Sequence, residues 1–346
     1  MSPRPLNPDI FLQQAAQYPV FDVRCPSEYA RGHIPGAHNL PLFSDEERHE
    51  IGILYKQQGR TCAFMRGLEI VGPLLAEYIV RVRSHTDSRH ILIHCWRGGM
   101  RSESLSWLLD KAGFRVGLLK GGYKAYRKYV MTGFETPLRL LVLGGMTGSG
   151  KTEILHNLQR RRQQILDLEG LAHHKGSAFG AVDNIAQPTT EQFENDLFDA
   201  MRVLDPGQTI WIEDESRKIG HVSVPEGLFR QMREALVMRI QVSRQARVTR
   251  LCSDYGAVSP EKLGNAVRAI SKRLGGERTR IALEAIAAGD YATATHALLD
   301  YYDKTYQFGL SKRHPDSIID LDHASDSPCA IAGALVEKAA KISRNP

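Results

Sequence analysis

The feature that most restricts how this chain can fold is a glycine-rich run set between a strand and a helix. Residues 138–143 are a mostly apolar stretch that reads as a buried strand, Gly145-Met146-Thr147-Gly148-Ser149-Gly150-Lys151-Thr152 follows, and residues 152–162 have helical spacing. Such a loop turns backbone N–H groups inward, where they and Lys151 cradle a di- or triphosphate and the Thr152 hydroxyl suits Mg²⁺. The spacing alone would also fit an ordinary glycine turn; the flanking strand and helix decide for a phosphate loop. Parallel α/β architecture is implied, with further strands expected at 165–168, 209–212, 237–242 and 318–321. Ile210-Trp211-Ile212 ends in Glu213-Asp214-Glu215, resembling the strand whose acid assists the metal in such domains. Asp214 is favoured for that role, with a solvated turn as the plain alternative.

A second anion loop lies some fifty residues upstream. Ile91-Leu92-Ile93 is a short buried strand, His94-Cys95-Trp96-Arg97-Gly98-Gly99-Met100-Arg101-Ser102 is the loop, and residues 104–109 form a helix ending near Gly113. A cysteine between a strand end and a helix N-terminus meets unpaired N–H groups and the helix dipole, which favour its thiolate. Arg97 and Arg101 add positive charge, and Gly98-Gly99 lets the backbone fold around an anion. Strands at 20–23 and 117–119, with helices over 28–31 and 68–82, again give a parallel-sheet pattern. The polar stretch 43–66 reads as part helix, part functional loop. Turn residues at 132–137 mark a linker, so the expected organisation is a domain over 1–134, a phosphate-loop domain over 135–258 and a mainly helical C-terminal extension over 259–346 packed on it. In that extension Gly275-Gly276, Gly289 and Pro315 separate the helices.

Composition narrows the class. Five cysteines (Cys25, Cys62, Cys95, Cys252, Cys329) are odd in number, widely spaced and without a Cys-x-x-Cys pair, against a disulfide framework or structural zinc. Cysteines other than Cys95 read as structural. No apolar stretch approaches membrane-spanning length and the N-terminus lacks a signal-peptide core, so a cytoplasmic enzyme with no membrane partner is expected. Net charge of +6 suits a polyanionic partner without requiring one. Basic clusters at 120–128, 160–162, 244–250 and 268–280 read first as solvated helix faces; Tyr123, Tyr126 and Tyr129, interleaved in the first, raise the prospect of an RNA-stacking surface. His33 and His38 lack partners at ligand spacing and read as turn residues, and adjacent His173 and His174, which cannot readily both ligate one ion, read as loop residues facing solvent or substrate.

The Cys95 loop supports two chemistries. His-Cys-x5-Arg-Ser is the signature of cysteine-dependent phosphatases, in which the thiolate attacks phosphorus and the arginine binds the oxyanion. Upstream, Asp22-Val23-Arg24, Ser27-Glu28-Tyr29 and Gly32-His33-Ile34-Pro35-Gly36-Ala37 resemble the rhodanese domain, whose cysteine carries a transferable chalcogen. The loop is one residue longer than that family's usual loop, leaving room for a tetrahedral oxyanion beside the sulfur. A phosphatase joined to a nucleotide-binding domain and a non-catalytic tRNA-binding adaptor are the competing readings.

A rhodanese-like domain fused to a phosphate-loop domain resembles the bacterial tRNA 2-selenouridine synthases, from Asp22 to the C-terminal helices. Asp45-Glu46-Glu47-Arg48-His49, Tyr55-Lys56-Gln57-Gln58-Gly59, Asp167-Leu168-Glu169-Gly170, Gly176-Ser177-Ala178-Phe179-Gly180 and 213–220 add to the likeness. The resemblance implies two steps at the wobble uridine (U34) of tRNAs for lysine, glutamate and glutamine. The sulfur of 2-thiouridine is geranylated from geranyl diphosphate, then selenium from selenophosphate replaces the S-geranyl group. It implies Cys95 as the selenium-accepting residue, with Arg97, Gly98, Gly99 and Arg101 holding the donor's phosphate. From anion chemistry, Gly145, Thr147, Gly148, Ser149, Gly150, Lys151 and Thr152 would grip the prenyl diphosphate, with Asp214, Arg217 and Lys218 as outer metal or phosphate contacts. No tightly bound cofactor is expected, Mg²⁺ is an optional companion of the diphosphate, and an enzyme supplying selenophosphate is the expected protein partner.

Overall fold

The structure, a computed structural model, describes residues 4–175, 186–256, 258–321, 323 and 325–342. The segment Gly176–Gly180 singled out from the sequence lies outside them. The chain forms two compact units, Met1–Gly133 and Phe134–Pro346.

The first unit runs β1 (Arg4–Leu6), α1 (Pro8–Ala15), β2 (Val20–Asp22), α2 (Pro26–Arg31), β3 (His38–Asn39), α3 (Asp45–Gln57), α4 (Arg60–Val71), α5 (Leu75–His85), β4 (His90–His94), α6 (Met100–Lys111), β5 (Arg115–Leu119) and α7 (Gly122–Gly133). Its five strands are parallel in the order β1-β5-β4-β2-β3, with Ile93 in register between Phe21 and Leu118. Central β4 is buried on both faces, as its continuous apolar run requires. Phe21, Val23, Tyr78, Val82, Ile91, Leu105 and Leu109 build the core beneath the Cys95 loop.

Two local expectations change. Residues 43–66 carry no long loop but two helices: Ser44 and Glu47 form a reciprocal cap that starts α3, and Gly59, at φ +87°, starts α4. The expected helix over 68–82 is broken by a 3₁₀ turn, Gly72–Leu74, because Pro73 lacks the N–H that would continue it.

The second unit runs β6 (Arg139–Gly144), α8 (Lys151–Arg160), β7 (Gln164–Leu166), α9 (Leu168–Ala172), α10 (Thr190–Met201), β8 (Thr209–Glu213), β9 (Lys218–Ile219), β10 (Val222–Ser223), α11 (Glu226–Glu234), β11 (Leu236–Arg239), α12 (Arg244–Gly256), α13 (Pro260–Leu274), α14 (Gly276–Ala287), α15 (Tyr291–Leu310), β12 (Ile318–Asp320) and α16 (Pro328–Ile342). The main sheet is parallel, β12-β11-β6-β8-β7; β9 and β10 form a small antiparallel hairpin. Helices α12–α15 share an apolar cluster that includes Val248, Leu251, Val267 and Leu298. The end of the chain returns to the sheet: β12 adds an edge strand, and Ile331 and Leu335 of α16 pack with Leu155 and Trp211. Each anion loop thus leaves the carboxyl end of the middle strand of a five-stranded parallel sheet, where open α/β sheets bind ligands.

Candidate active site

Cys95 follows β4 and is 3% exposed. Its loop is fastened from behind by the start of α7: the Tyr123 N–H donates to the Cys95 carbonyl at 2.8 Å and the Lys124 N–H to the Trp96 carbonyl at 2.9 Å. Gly122 makes this approach feasible, since a Cβ there would lie 2.4 Å from the Cys95 carbonyl oxygen, and its φ is +61°. Gly98, at φ +69°, makes the loop's turn. The Ser102 hydroxyl lies 3.1 Å from Cys95 Sγ and 3.1 Å from the Gly99 carbonyl oxygen, so its proton can serve the sulfur or the loop.

Beneath the loop lies a buried charge pair. Arg24 Nε donates to Asp22 at 2.9 Å and Nη2 to the Gly32 carbonyl at 2.7 Å, while the guanidinium lies 3.7 Å from the centre of the Tyr123 ring. Burial raises the Asp22 carboxyl, but its charged and hydrogen-bonded neighbours hold it below its ordinary range. Burial also lowers His94 below its ordinary range, while the facing Asp22 opposes that shift. Arg101 Nη1 donates to Glu28 Oε2 at 2.8 Å, and the Cys25 thiol donates to the same oxygen at 3.2 Å. Burial raises Glu28, but Arg101 more than offsets this and keeps it ionised.

In front of the loop is a cavity of 820 Å³, lined by Cys95, Arg97, Gly99 and Arg101 on one side and by α3 and α4 on the other. The Arg60 guanidinium of α4 reaches Met100 Sδ at 3.7 Å, bringing the hairpin over the start of α6.

In the second unit, Gly148 and Gly150 adopt φ of +79° and +78°, and α8 begins at Lys151. A Cβ at Gly150 would stand 2.9 Å from the Arg250 guanidinium carbon. Arg250 Nη1 donates to the Gly148 carbonyl at 2.8 Å and Arg247 Nε to the Thr147 carbonyl at 2.8 Å; buried Arg247 is itself held by Asp303. Lys151 Nζ folds back to the Gly145 carbonyl at 3.2 Å, and Thr152 Oγ1 donates to Glu169 at 2.7 Å. Ser149 is buried, and its hydroxyl has no partner among the described residues. The adjoining cavity measures 890 Å³ and includes Lys151, Arg217, Arg233, Arg250, Arg273 and Lys312 in its walls. Glu215 also lines it. Burial, opposed by Lys151 and reinforced by Glu169 and Asp214, lifts its carboxyl from an ordinary 4.5 to about 8.

Comparison with known proteins bears on both sites at once. The family model "tRNA 2-selenouridine synthase AAA domain" matches residues 138–325, and the "Rhodanese-like domain" matches residues 8–129. A tRNA 2-selenouridine synthase of Bordetella bronchiseptica is 36% identical, over 88% of this chain and 92% of that protein. One of Cupriavidus pinatubonensis is 36% identical over 89% and 93%, and one of Shewanella loihica 33% identical over 89% and 91%. The chain belongs to the tRNA 2-selenouridine synthase family.

The residues read from the sequence fall into two groups in this family member. Cys95, Arg97, Gly99 and Arg101 share the first cavity, and Gly145, Thr147, Gly148, Ser149, Gly150, Lys151 and Thr152 share the second. Gly98 packs inward against Leu119 and Gly121, shaping the loop from behind. Asp214 lines the second cavity, but its carboxylate is engaged by buried Arg313 at 2.8 Å. Glu213 is fully buried and accepts the Leu168 N–H at 3.0 Å, capping α9 rather than facing a ligand. Arg217 lines the cavity and pairs with Glu226 at 2.7 Å; Lys218 is an exposed residue of the hairpin and is not part of the cavity wall. Among the described residues, no three His, Cys, Asp or Glu side chains are grouped to hold a metal ion, and no helix is long and apolar enough to cross a membrane.

The RNA-stacking expectation for the 120–128 cluster is corrected. Tyr123 and Tyr126 are buried in the first unit because α7 turns them inward, which leaves Tyr129 as the exposed ring of the three. Four residues whose roles the sequence did not mark now stand beside the loops. Ser102 and Glu28 flank the first, and Glu169 and Glu215 the second. The serine was visible in the Cys-x5-Arg-Ser pattern; the three acids lie in segments the sequence singled out, but nothing local tied them to the loops.

Proposed function

We propose that this chain is a transferase that modifies the wobble uridine of tRNA, converting 2-thiouridine to 2-selenouridine with the two anion loops serving successive steps. At the phosphate loop, geranyl diphosphate would be held by the loop N–H groups, Lys151 and the arginine-rich wall. The thiocarbonyl sulfur attacks the allylic carbon, and the C–O electron pair leaves with diphosphate. Lys151, Arg217 and Arg250 oppose the charge that develops on that leaving group. Mg²⁺ accompanying the diphosphate would meet the Thr152 hydroxyl and Glu169, and would supply further charge neutralisation.

At the Cys95 loop, selenium from selenophosphate reaches C2 of the S-geranylated base. The selenium nucleophile adds at C2, and the C2–S electron pair leaves as geranyl thiolate. Alkylation makes sulfur the better leaving group, which is the chemical reason for the first step. Cys95 is the catalytic thiolate of this step: it attacks the phosphorus of selenophosphate, the P–Se electron pair leaves as the selenide nucleophile, and water later frees phosphate from the sulfur. Arg97, Arg101 and the Gly98-Gly99 turn bind the donor's phosphate, and Ser102 steadies the sulfur. The substrates are lysine, glutamate and glutamine tRNAs, a separate enzyme supplies selenophosphate, and the site of action is the cytoplasm.

The observation that carries this reading is the fusion of a cysteine anion loop and a phosphate loop in one member of this family. Nucleoside mass spectrometry of tRNA from cells with and without the gene tests it. The wild type contains 2-selenouridine and the deletion strain retains 2-thiouridine; persistence of 2-selenouridine in the deletion strain contradicts the reading. The phosphatase alternative requires a general-acid aspartate, and among the described residues no aspartate lines the Cys95 cavity.

A further inference from the structure

The cavity at Cys95 is built for more than a small anion. Selenophosphate is compact and wholly polar, and the loop itself can bind it. Yet α3, α4 and the first residue of α6 bring five large apolar side chains to the same cavity: Ile53, Tyr55, Phe64, Leu68 and Met100. Each is more than a third exposed, between 39% and 56%, so none is needed to fill the core. The walls behind them are Leu42, Phe43, Ile51 and Val71. On α4 the residues facing inward are small, Ala63 and Gly67, and this keeps the space open. A volume of 820 Å³ lies in the range of about 300–1,000 Å³ common to organic-ligand sites.

Charge narrows the occupant further. Lys56, Arg60 and Arg97 line this cavity, and none is ion-paired with a carboxylate among the described residues. Glu28, the acid in the wall, is committed to Arg101. Apolar walls beside unneutralised cations fit a ligand with a hydrocarbon chain and phosphate groups on one molecule. A free terpene lacks the phosphates, and an unmodified RNA loop lacks the chain.

We propose that the α3–α4 hairpin is the seat of the prenyl chain of the S-geranylated base. The hairpin holds the chain so that C2 of the base stands at Cys95, while Lys56, Arg60 and Arg97 meet the flanking phosphodiesters. This rests on the two-step reading above and adds to it a recognition site for the intermediate. Such a site explains how the selenium step selects alkylated sulfur over the far more abundant unmodified uridines. It would hold no covalent bond to the chain, and it releases geranyl thiol once the C2–S bond is broken.

The test uses the full-length protein and short anticodon-loop RNAs bearing S-methyl-, S-dimethylallyl- or S-geranyl-2-thiouridine, with selenophosphate. For the wild type, kcat/KM should rise with chain length, by at least about tenfold from methyl to geranyl. The variant Phe64→Gln/Leu68→Gln changes two exposed positions, so the fold is kept. It should flatten that preference mainly through KM, while geranylation of 2-thiouridine RNA stays at the wild-type rate. Equal kcat/KM for all three RNAs overturns the proposal, as does a double variant that retains the wild-type preference. Equal weakening of unmodified RNA binding by the variant would show a base-binding surface instead and also overturns it. If the wild type converts none of the S-alkylated RNAs, the two-step reading itself fails, which is a separate result.

Discussion

At the scale of single residues, the first site depends on side chains that act on Cys95 from different directions. Ser102 touches the sulfur directly. Ser102→Ala should slow selenium incorporation by about tenfold or more, with geranylation unchanged, as read by single-turnover assays of each step. Asp22 and Arg24 act from below and are both fully buried. Removing one partner strands a buried charge, so Arg24→Met should cost about 3–5 kcal/mol and lower the denaturation midpoint of the first unit. Cys95 and Lys151 were legible in the sequence because their loops are contiguous and each follows an apolar strand. Glu28 was not legible as the partner of Arg101, since 73 residues separate them and only the sheet brings them together. Arg313 shows the same limit: it reaches Asp214 across 99 residues, and this pairing changes the acid expected to help a metal into half of an ion pair.

At the scale of elements, the loops are rigid because helices and helix-borne arginines hold them. The N-terminus of α7 fastens the Cys95 loop through Gly122. Gly122→Ala places a Cβ against the Cys95 carbonyl and the Gly98 nitrogen, and its φ of +61° is costly for alanine. It should abolish selenium transfer and spare prenyl transfer. Gly36→Ala is the control: its φ of +77° is similar but nothing lies within 4 Å, so both activities should persist. β2, β4, β5, β6, β7, β8, β11 and β12 followed from apolar runs, whereas β1, β3, β9 and β10, of two or three residues each, are too short to show a pattern. The α3–α4 hairpin followed only in part, since its polar composition reads as part helix, part loop until the Ser44–Glu47 cap is recognised. That misreading matters, because this hairpin forms half of the Cys95 cavity.

The phosphate loop carries its own pH signature. Glu215 titrates near 8 in the folded chain against an ordinary 4.5, so the folded state holds an extra proton between those values. Stability from this group is complete below the ordinary value and is lost as pH rises through about 8. The thermal midpoint of the second unit should therefore fall from about pH 5 to pH 8, and Glu215→Gln should flatten that slope. A wild-type midpoint that rises over this window contradicts the assignment.

At the scale of the whole molecule, one chain carries two anion sites on two sheets of the same parallel design. A net charge of +6 suits a tRNA substrate, and affinity for it should fall linearly on a log–log plot against salt. The central claim is that the two sites perform separate, ordered steps. It is tested most directly by nucleoside mass spectrometry of 2-thiouridine tRNA incubated with geranyl diphosphate, selenophosphate and either Cys95→Ser or Lys151→Ala. Cys95→Ser should stop at the S-geranyl nucleoside. Lys151→Ala should leave 2-thiouridine unchanged, yet convert tRNA supplied already S-geranylated into 2-selenouridine. Loss of both products in Cys95→Ser, or failure of Lys151→Ala on the pre-geranylated tRNA, would contradict the division of labour between the two loops.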